Sequence, residues 1–167
     1  LPYSGFEAGG DSQPALDAAG QKLGVTVCYE DAYASDQLAV LKEATLLVNV
    51  TNDAWFGDST AAHQHLQISR MRALEAGRTM LRTANDGISA IIAPDGRIES
   101  TLPRFQPGVL TGSVQPRIGL TLYARVGNWP VICVSFAILL AAFVLTTSTK
   151  LRNTLRRRFL LLSSDEV

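Results

Sequence analysis

The apolar positions of this chain change period several times, and each change predicts an element. Residues 21–29 alternate as a strand, with Val25 and Val27 on one face. Ser35 or Asp36 then caps a short helix through Ala44, because Leu38, Val40 and Leu41 form an apolar stripe opposite Lys42 and Glu43. Leu46–Val50 is a short β-branched run of the kind found in a buried strand, and it ends at Thr51-Asn52-Asp53. From residue 60 to residue 81, Ile68, Met71, Leu74, Gly77 and Leu81 recur at spacings of three and four. That spacing predicts the longest helix ahead of residue 129, with Arg70, Arg72, Glu75 and Arg78 on its other face. Ser89–Ala93 and Ile98–Leu102 flank the turn Pro94-Asp95-Gly96-Arg97 as a hairpin. A final strand is expected near Val109–Val114, and the polar, Gly-rich stretch Ser4 to Gly20 reads as a loop.

The resulting order of strand, helix, strand, helix, strand and hairpin implies an α/β fold with helices covering a sheet. Four or five strands are few for a layered α/β enzyme, so the chain reads as the C-terminal part of a larger domain. From Trp129 to Thr147 the pattern changes completely, since no residue is charged. Nineteen residues at about 1.5 Å each approach the roughly 30 Å hydrocarbon thickness of a bilayer. The alternative is a buried helix of a soluble protein, and the flanks argue against it. Trp129 suits a membrane interface, Pro130 suits a first helical turn, and Lys150, Arg152, Arg156, Arg157 and Arg158 follow. The expected organisation is therefore a folded part at 1–128, a transmembrane helix at 129–147 and a basic tail at 148–167. Basic residues stay on the cytoplasmic side, which places residues 1–128 across the membrane, in the periplasm of a bacterium.

Charge refines this picture only slightly. The chain of 167 residues carries 15 Lys/Arg and 15 Asp/Glu. The basic excess sits in the tail and the body is mildly acidic, which marks no nucleic-acid surface. Cys28 and Cys133 are the two cysteines. One precedes a distant loop and the other lies inside the expected span, so they are not expected to pair. An unpaired thiol in an oxidising compartment reads as a working one.

Cys28 stands where a strand breaks into a turn, followed by Tyr29, Glu30 and Asp31. That is a suitable mounting for a nucleophile, with backbone N–H groups beside it; the bland alternative is an inert core cysteine. Negative charge beside a thiol disfavours the thiolate, so the chemistry calls for a cation. The lysines of residues 1–128 are Lys22 and Lys42, and neither has an obvious route to Cys28. Asn52, Asp53, Trp55 and Phe56 follow the next strand, and loops at the carboxyl ends of adjacent strands share a crevice. They are candidate substrate contacts, though Asn52 and Asp53 also serve as turn formers and the aromatics as packing. His63 and His65, two apart on a helix, point to different sides, so a joint metal site is not expected; they read as polar residues at a helix start. Arg70, Arg72, Arg78 and Arg82 read as a solvated face with lipid phosphate as a second possibility. Neither a metal nor a cofactor is called for.

Several separated motifs occur in an order that resembles the C-terminal part of the bacterial apolipoprotein N-acyltransferase family. They are Val27-Cys28-Tyr29-Glu30, Thr51 through Ser59, His63-Gln64-His65, Arg70 through Glu75, Arg82 through Ser89, and Tyr123 through Pro130 before an apolar helix. Cys-Tyr-Glu alone would indicate only the wider nitrilase, or carbon–nitrogen hydrolase, superfamily. The resemblance implies a nitrilase-like αββα sandwich followed by one transmembrane helix, in the inner membrane with its catalytic domain periplasmic. It implies a Glu-Lys-Cys catalytic set in which Cys28 is the nucleophile, with Tyr29 and Glu30 shaping the site. The Glu and Lys of that set precede the Cys by a long stretch, and Glu7 and Lys22 do not match them. The implied reaction takes an acyl chain from a phospholipid through a Cys28 thioester to the α-amino group of a diacylglyceryl apolipoprotein. Alternatives are a membrane-tethered amidase or nitrilase-type hydrolase, or a non-catalytic membrane-anchored module.

Overall fold

The computed structural model describes residue 10 and residues 13–162, with side chains through residue 148. It divides into two compact units at Gly127/Asn128. The first contains a six-stranded sheet in the order β1(Leu16–Ala18), β2(Gln21–Val27), β3(Leu46–Asn52), β4(Met80–Asn85), β5(Ala90–Ile92) and β6(Ile98–Thr101). The strands β2, β3 and β4 run parallel; the remaining pairings are antiparallel. Helices α1(Ala34–Gln37), α2(Ala61–Ala76) and α3(Leu122–Val126) complete the unit.

Register explains where the core lies. Gly24, Leu47, Met80 and Ile92 are neighbours across β2 to β5 and form one row on the inward face. Leu66, Ala73 and Ala76 of α2, Ala124 of α3, and Leu41 from the segment between β2 and β3 join Leu47, Met80 and Ile92 in the buried cluster. Two residues further along, on the same face, the row is Thr26, Asn49, Arg82 and Ala90. The sheet is thus apolar beneath the middle of α2 and polar toward the carboxyl ends of the parallel strands. The opposite face carries Val25, Val48, Leu81 and Ile91, and it borders a crevice of about 590 Å³ with the 108–114 segment.

Several expectations change. A β1–β2 hairpin replaces the end of the presumed N-terminal loop, because Leu16–Ala18 pairs back on Gln21–Leu23. The helix expected from residue 35 or 36 through Ala44 is only α1 plus a 3-10 turn at Val40–Lys42, and no side chain caps its start. The long helix stops at Ala76, where Gly77 takes a left-handed φ of +62° and its N–H caps the last turn. The residues after it form β4, a strand that the hydrophobic pattern does not predict. Met71 and Leu74, expected to be inward, are exposed, and α2 packs through Ala62, His65, Leu66, Ser69, Ala73 and Ala76 instead. Small residues let the helix lie close to the sheet. No strand forms near Val109–Val114.

The second unit holds α4(Trp129–Leu162). Its segment Trp129–Ser148 has a mean hydropathy of 2.4 and its side chains are exposed throughout, so it is long and apolar enough to cross a membrane. The helix runs on through most of the basic stretch.

Candidate active site

Cys28 begins a 3-10 turn, Cys28–Ala32, where β2 ends. Its φ of +54° is left-handed, a conformation that costs a non-glycine residue on the order of 1–3 kcal/mol and persists only when its surroundings hold it. Three bonds do so. The Cys28 carbonyl accepts from Asn49 Nδ2 at 3.0 Å and from His65 Nε2 at 3.2 Å. The Val27 N–H donates to Glu30 Oε2 at 2.7 Å, closing the turn from its exposed side. Cys28 is half-buried and Cys133 exposed, and both are free thiols. Tyr29 is exposed, with its ring 5.8 Å from the His65 imidazole.

Beneath this turn lies a buried charge network drawn from four elements. Asp31 comes from the turn, Asp53 from the end of β3, His65 and Ser69 from α2, and Arg82 from β4; each is at most 5% exposed. His65 Nδ1 lies 2.9 Å from Asp53 Oδ1, and His65 Nε2 lies 3.1 Å from Asp31 Oδ1. Arg82 donates to Asn49 Oδ1 at 2.6 Å, to Ser69 Oγ at 2.8 Å and to Asp53 Oδ2 at 3.0 Å. Ser69 Oγ donates to Asp31 Oδ2, and Asn49 Nδ2 also reaches Thr26 Oγ1 at 3.1 Å. Unpaired charges could not remain in such a place.

Both ring nitrogens of His65 face a carboxylate oxygen, which only a doubly protonated ring can satisfy with two donors. Burial acts to lower the His65 pKa, but the hydrogen bonds to Asp31 and Asp53 outweigh it and carry it above its ordinary 6.5. Burial lowers the Arg82 pKa, opposed by the charges of Asp53 and Asp31. Two carboxylates and two cations then balance. Gly87 completes the packing, because a Cβ there would meet Asp53 Oδ2 at 2.2 Å.

The loop after β3 divides its residues between two environments. Asp53 points inward and belongs to the network. Asn52 Oδ1 accepts from the Ala54 N–H and from Asn85 Nδ2, both at 3.1 Å. Trp55 is 82% exposed and Phe56 is 52% exposed. Arg104 holds this loop from outside, with bonds to Gly57 O at 2.8 Å, Asp58 Oδ1 at 3.2 Å and Asp86 O at 3.3 Å.

The structure therefore brings Cys28, Tyr29, Glu30, Asn52 and Asp53 to the carboxyl ends of β2 and β3, with Trp55 and Phe56 exposed on the loop that follows. It corrects two expectations. His65 is no surface residue at a helix start, whereas His63 is exposed. Arg78 and Arg82 belong to no solvated helix face: both are buried, and Arg78 donates to Ala44 O at 3.0 Å and to Gly119 O. Among the described residues, the cations beside Cys28 are His65 and Arg82, neither of them a lysine. The sequence signal for Arg82 is the row of polar residues Thr26, Asn49 and Arg82 at inward positions of three successive strands, whereas His65, on α2, has no such signal.

A mixed α/β unit with a cysteine on a strained turn at the carboxyl end of one of its parallel strands is a nitrilase-type arrangement. The carbon-nitrogen hydrolase family matches residues 3–123, and the chain belongs to that family. Among curated relatives it is 50% identical over 145 residues to the apolipoprotein N-acyltransferase of Chromobacterium violaceum, covering 87% of this chain and 28% of the relative. It is 51% identical over 132 residues to that of Methylococcus capsulatus, covering 79% and 26%. The chain thus spans less than a third of the length of these relatives. Among solved structures it is similar to an amidase from Nesterenkonia sp., at 26% identity and a TM-score of 0.51, covering 62% of this chain and 41% of the amidase. A mutant of that amidase carries the acetamide moiety of fluoroacetamide covalently added at its active-site cysteine.

Proposed function

We propose that this chain is the thiol-bearing part of an apolipoprotein N-acyltransferase. The observation that carries the reading is the left-handed Cys28 turn, anchored from below by a buried charge network, in a chain about half identical to proteins of that name. In this reading a general-base Glu, contributed by another part of the enzyme, takes the Cys28 proton. The thiolate attacks the ester carbonyl of a phospholipid, the C–S bond forms, and the C–O bond breaks as the Glu returns its proton to the departing oxygen, releasing a lysophospholipid. The Tyr29 N–H and a Lys from outside the chain receive the oxyanion. The α-amino group of a diacylglyceryl-cysteine then attacks the thioester, the C–N bond forms as the C–S bond breaks, and the proton lost by the amine passes through the general-base Glu to the Cys28 sulfur, restoring the thiol. Glu30 keeps the turn closed, and Asn52, Trp55 and Phe56 contact substrate while Asp53 secures their loop from beneath. The helix at 129–148 anchors the unit, with the catalytic side periplasmic and the basic tail cytoplasmic.

The similarity to an amidase supports a second reading, in which water takes the acyl group. Full-length enzyme incubated with phosphatidylethanolamine and a diacylglyceryl peptide separates them by product. N-acylated peptide is the expected result; free fatty acid with unmodified peptide would select the hydrolase.

A further inference from the structure

We propose that His65, as an imidazolium clamped between Asp31 and Asp53, is a positioning residue that fixes the Cys28–Tyr29 peptide plane and so aims the Tyr29 N–H. The proposal rests on the reading of Cys28 as acyl acceptor and adds a role for a residue away from the reacting atoms. A peptide group is planar, and in its trans form the carbonyl and the following N–H point in opposite directions. The Cys28 carbonyl is drawn inward by His65 Nε2 at 3.2 Å and Asn49 Nδ2 at 3.0 Å. The Tyr29 N–H of the same peptide therefore points away from the network. An oxyanion forming on an acyl group attached to Cys28 needs a donor so placed.

Asn49 and His65 hold the carbonyl in different ways. Asn49 is neutral and is itself fixed by Arg82 and Thr26. The His65 grip depends on its proton. The groups that face it are Asp31, the Cys28 carbonyl and the Tyr29 ring from the turn, Asp53 from the end of β3, Arg82 from β4 across the carboxylates, and Ser69 on its own helix. A neutral His65 has one N–H for three acceptors and leaves the network with one negative charge in excess. The bond to the Cys28 carbonyl is the one most readily lost, since the carbonyl is the neutral acceptor beside two carboxylates that compete for the same N–H groups.

Two thiol reactions separate this role from plain folding. Acylation of Cys28 by a p-nitrophenyl fatty acyl ester passes through an oxyanion, whereas alkylation by iodoacetamide does not. Both need the thiolate, so their ratio cancels its titration. Full-length protein in detergent is treated with each reagent, and the Cys28 peptide is followed by mass. In the wild type the ratio of acylation to alkylation should fall as pH rises above the ordinary histidine value of 6.5 and through the raised His65 titration. In His65→Gln the ratio should be lower by about tenfold or more, toward the loss seen when an oxyanion donor is removed, and flat with pH. Restoring the charge balance in His65→Gln/Asp53→Asn should recover part of it. A wild-type ratio constant across that range overturns the proposal even if His65→Gln does not fold. So does a folded His65→Gln with the wild-type ratio. Wild-type protein that is alkylated but never acylated overturns the nucleophile reading, and this inference falls with it.

Discussion

At the scale of single residues, the buried network decides most of what can be changed. Gly87 faces Asp53 so closely that an added methyl must displace the carboxylate or its own backbone. Gly87→Ala should therefore destabilise the protein by about 1–3 kcal/mol through overpacking, and it should lower Cys28 acylation because Asp53 loses its place against His65 and Arg82. A thermal melt of the detergent-solubilised enzyme and an acylation time course check the two effects. His65 makes stability depend on pH with a definite sign. Its folded pKa lies above the ordinary 6.5, so its stabilising contribution is complete below that value and is lost as pH rises through the folded pKa. The urea midpoint should accordingly fall on the alkaline side of about 6.5, and the slope should vanish in His65→Gln. Little of this is legible in the chain. Asp31, Asp53, His65 and Arg82 are separated by 12 to 51 residues in the paired contacts, and only the parallel register brings them together.

At the scale of elements, legibility tracks how apolar the inward positions are. Leu46–Val50 carries enough β-branched residues to show itself, and β3 extends to Asn52. The strand β4 stays hidden because its second inward position is Arg82, which breaks the apolar alternation and reads like a continuation of a charged helix. The α2 stripe misleads for the converse reason. Its exposed face holds Met71 and Leu74, while its buried face is built from three alanines, Ser69 and His65, with Leu66 its one large apolar residue. A helix that packs through small residues tolerates enlargement poorly. Ala73 is fully buried, so Ala73→Leu should cost about 1–3 kcal/mol, whereas Leu74→Ala should leave the melting temperature nearly unchanged; parallel melts of the two variants test the assignment of faces. The same contrast applies to the loop after β3. Trp55 is exposed and Arg104 ties the loop beside it, so Trp55→Ala should alter stability little while slowing transfer to the lipoprotein acceptor. A large fall in melting temperature with normal activity per folded molecule would make Trp55 a packing residue instead.

At the scale of the whole molecule, the proposed function divides the labour between the two units. The sheet unit would present the thiol, and the apolar helix Trp129–Ser148 would hold it at the lipid that supplies the acyl chain. A reporter fused after Val167 should then behave as cytoplasmic and a tag near Gly10 as periplasmic. The sandwich implied by the family resemblance is met by one sheet covered on one face by α2 and α3, with Val25, Val48 and Leu81 on the other face. The proposal stands or falls on Cys28 carrying the acyl group between donor and acceptor. Full-length enzyme incubated with phospholipid and no acceptor should gain one fatty acyl mass on the Cys28 peptide, removable by hydroxylamine and passed to a diacylglyceryl peptide added afterwards. Acyl mass on another residue, or transfer that persists in Cys28→Ala, would contradict it.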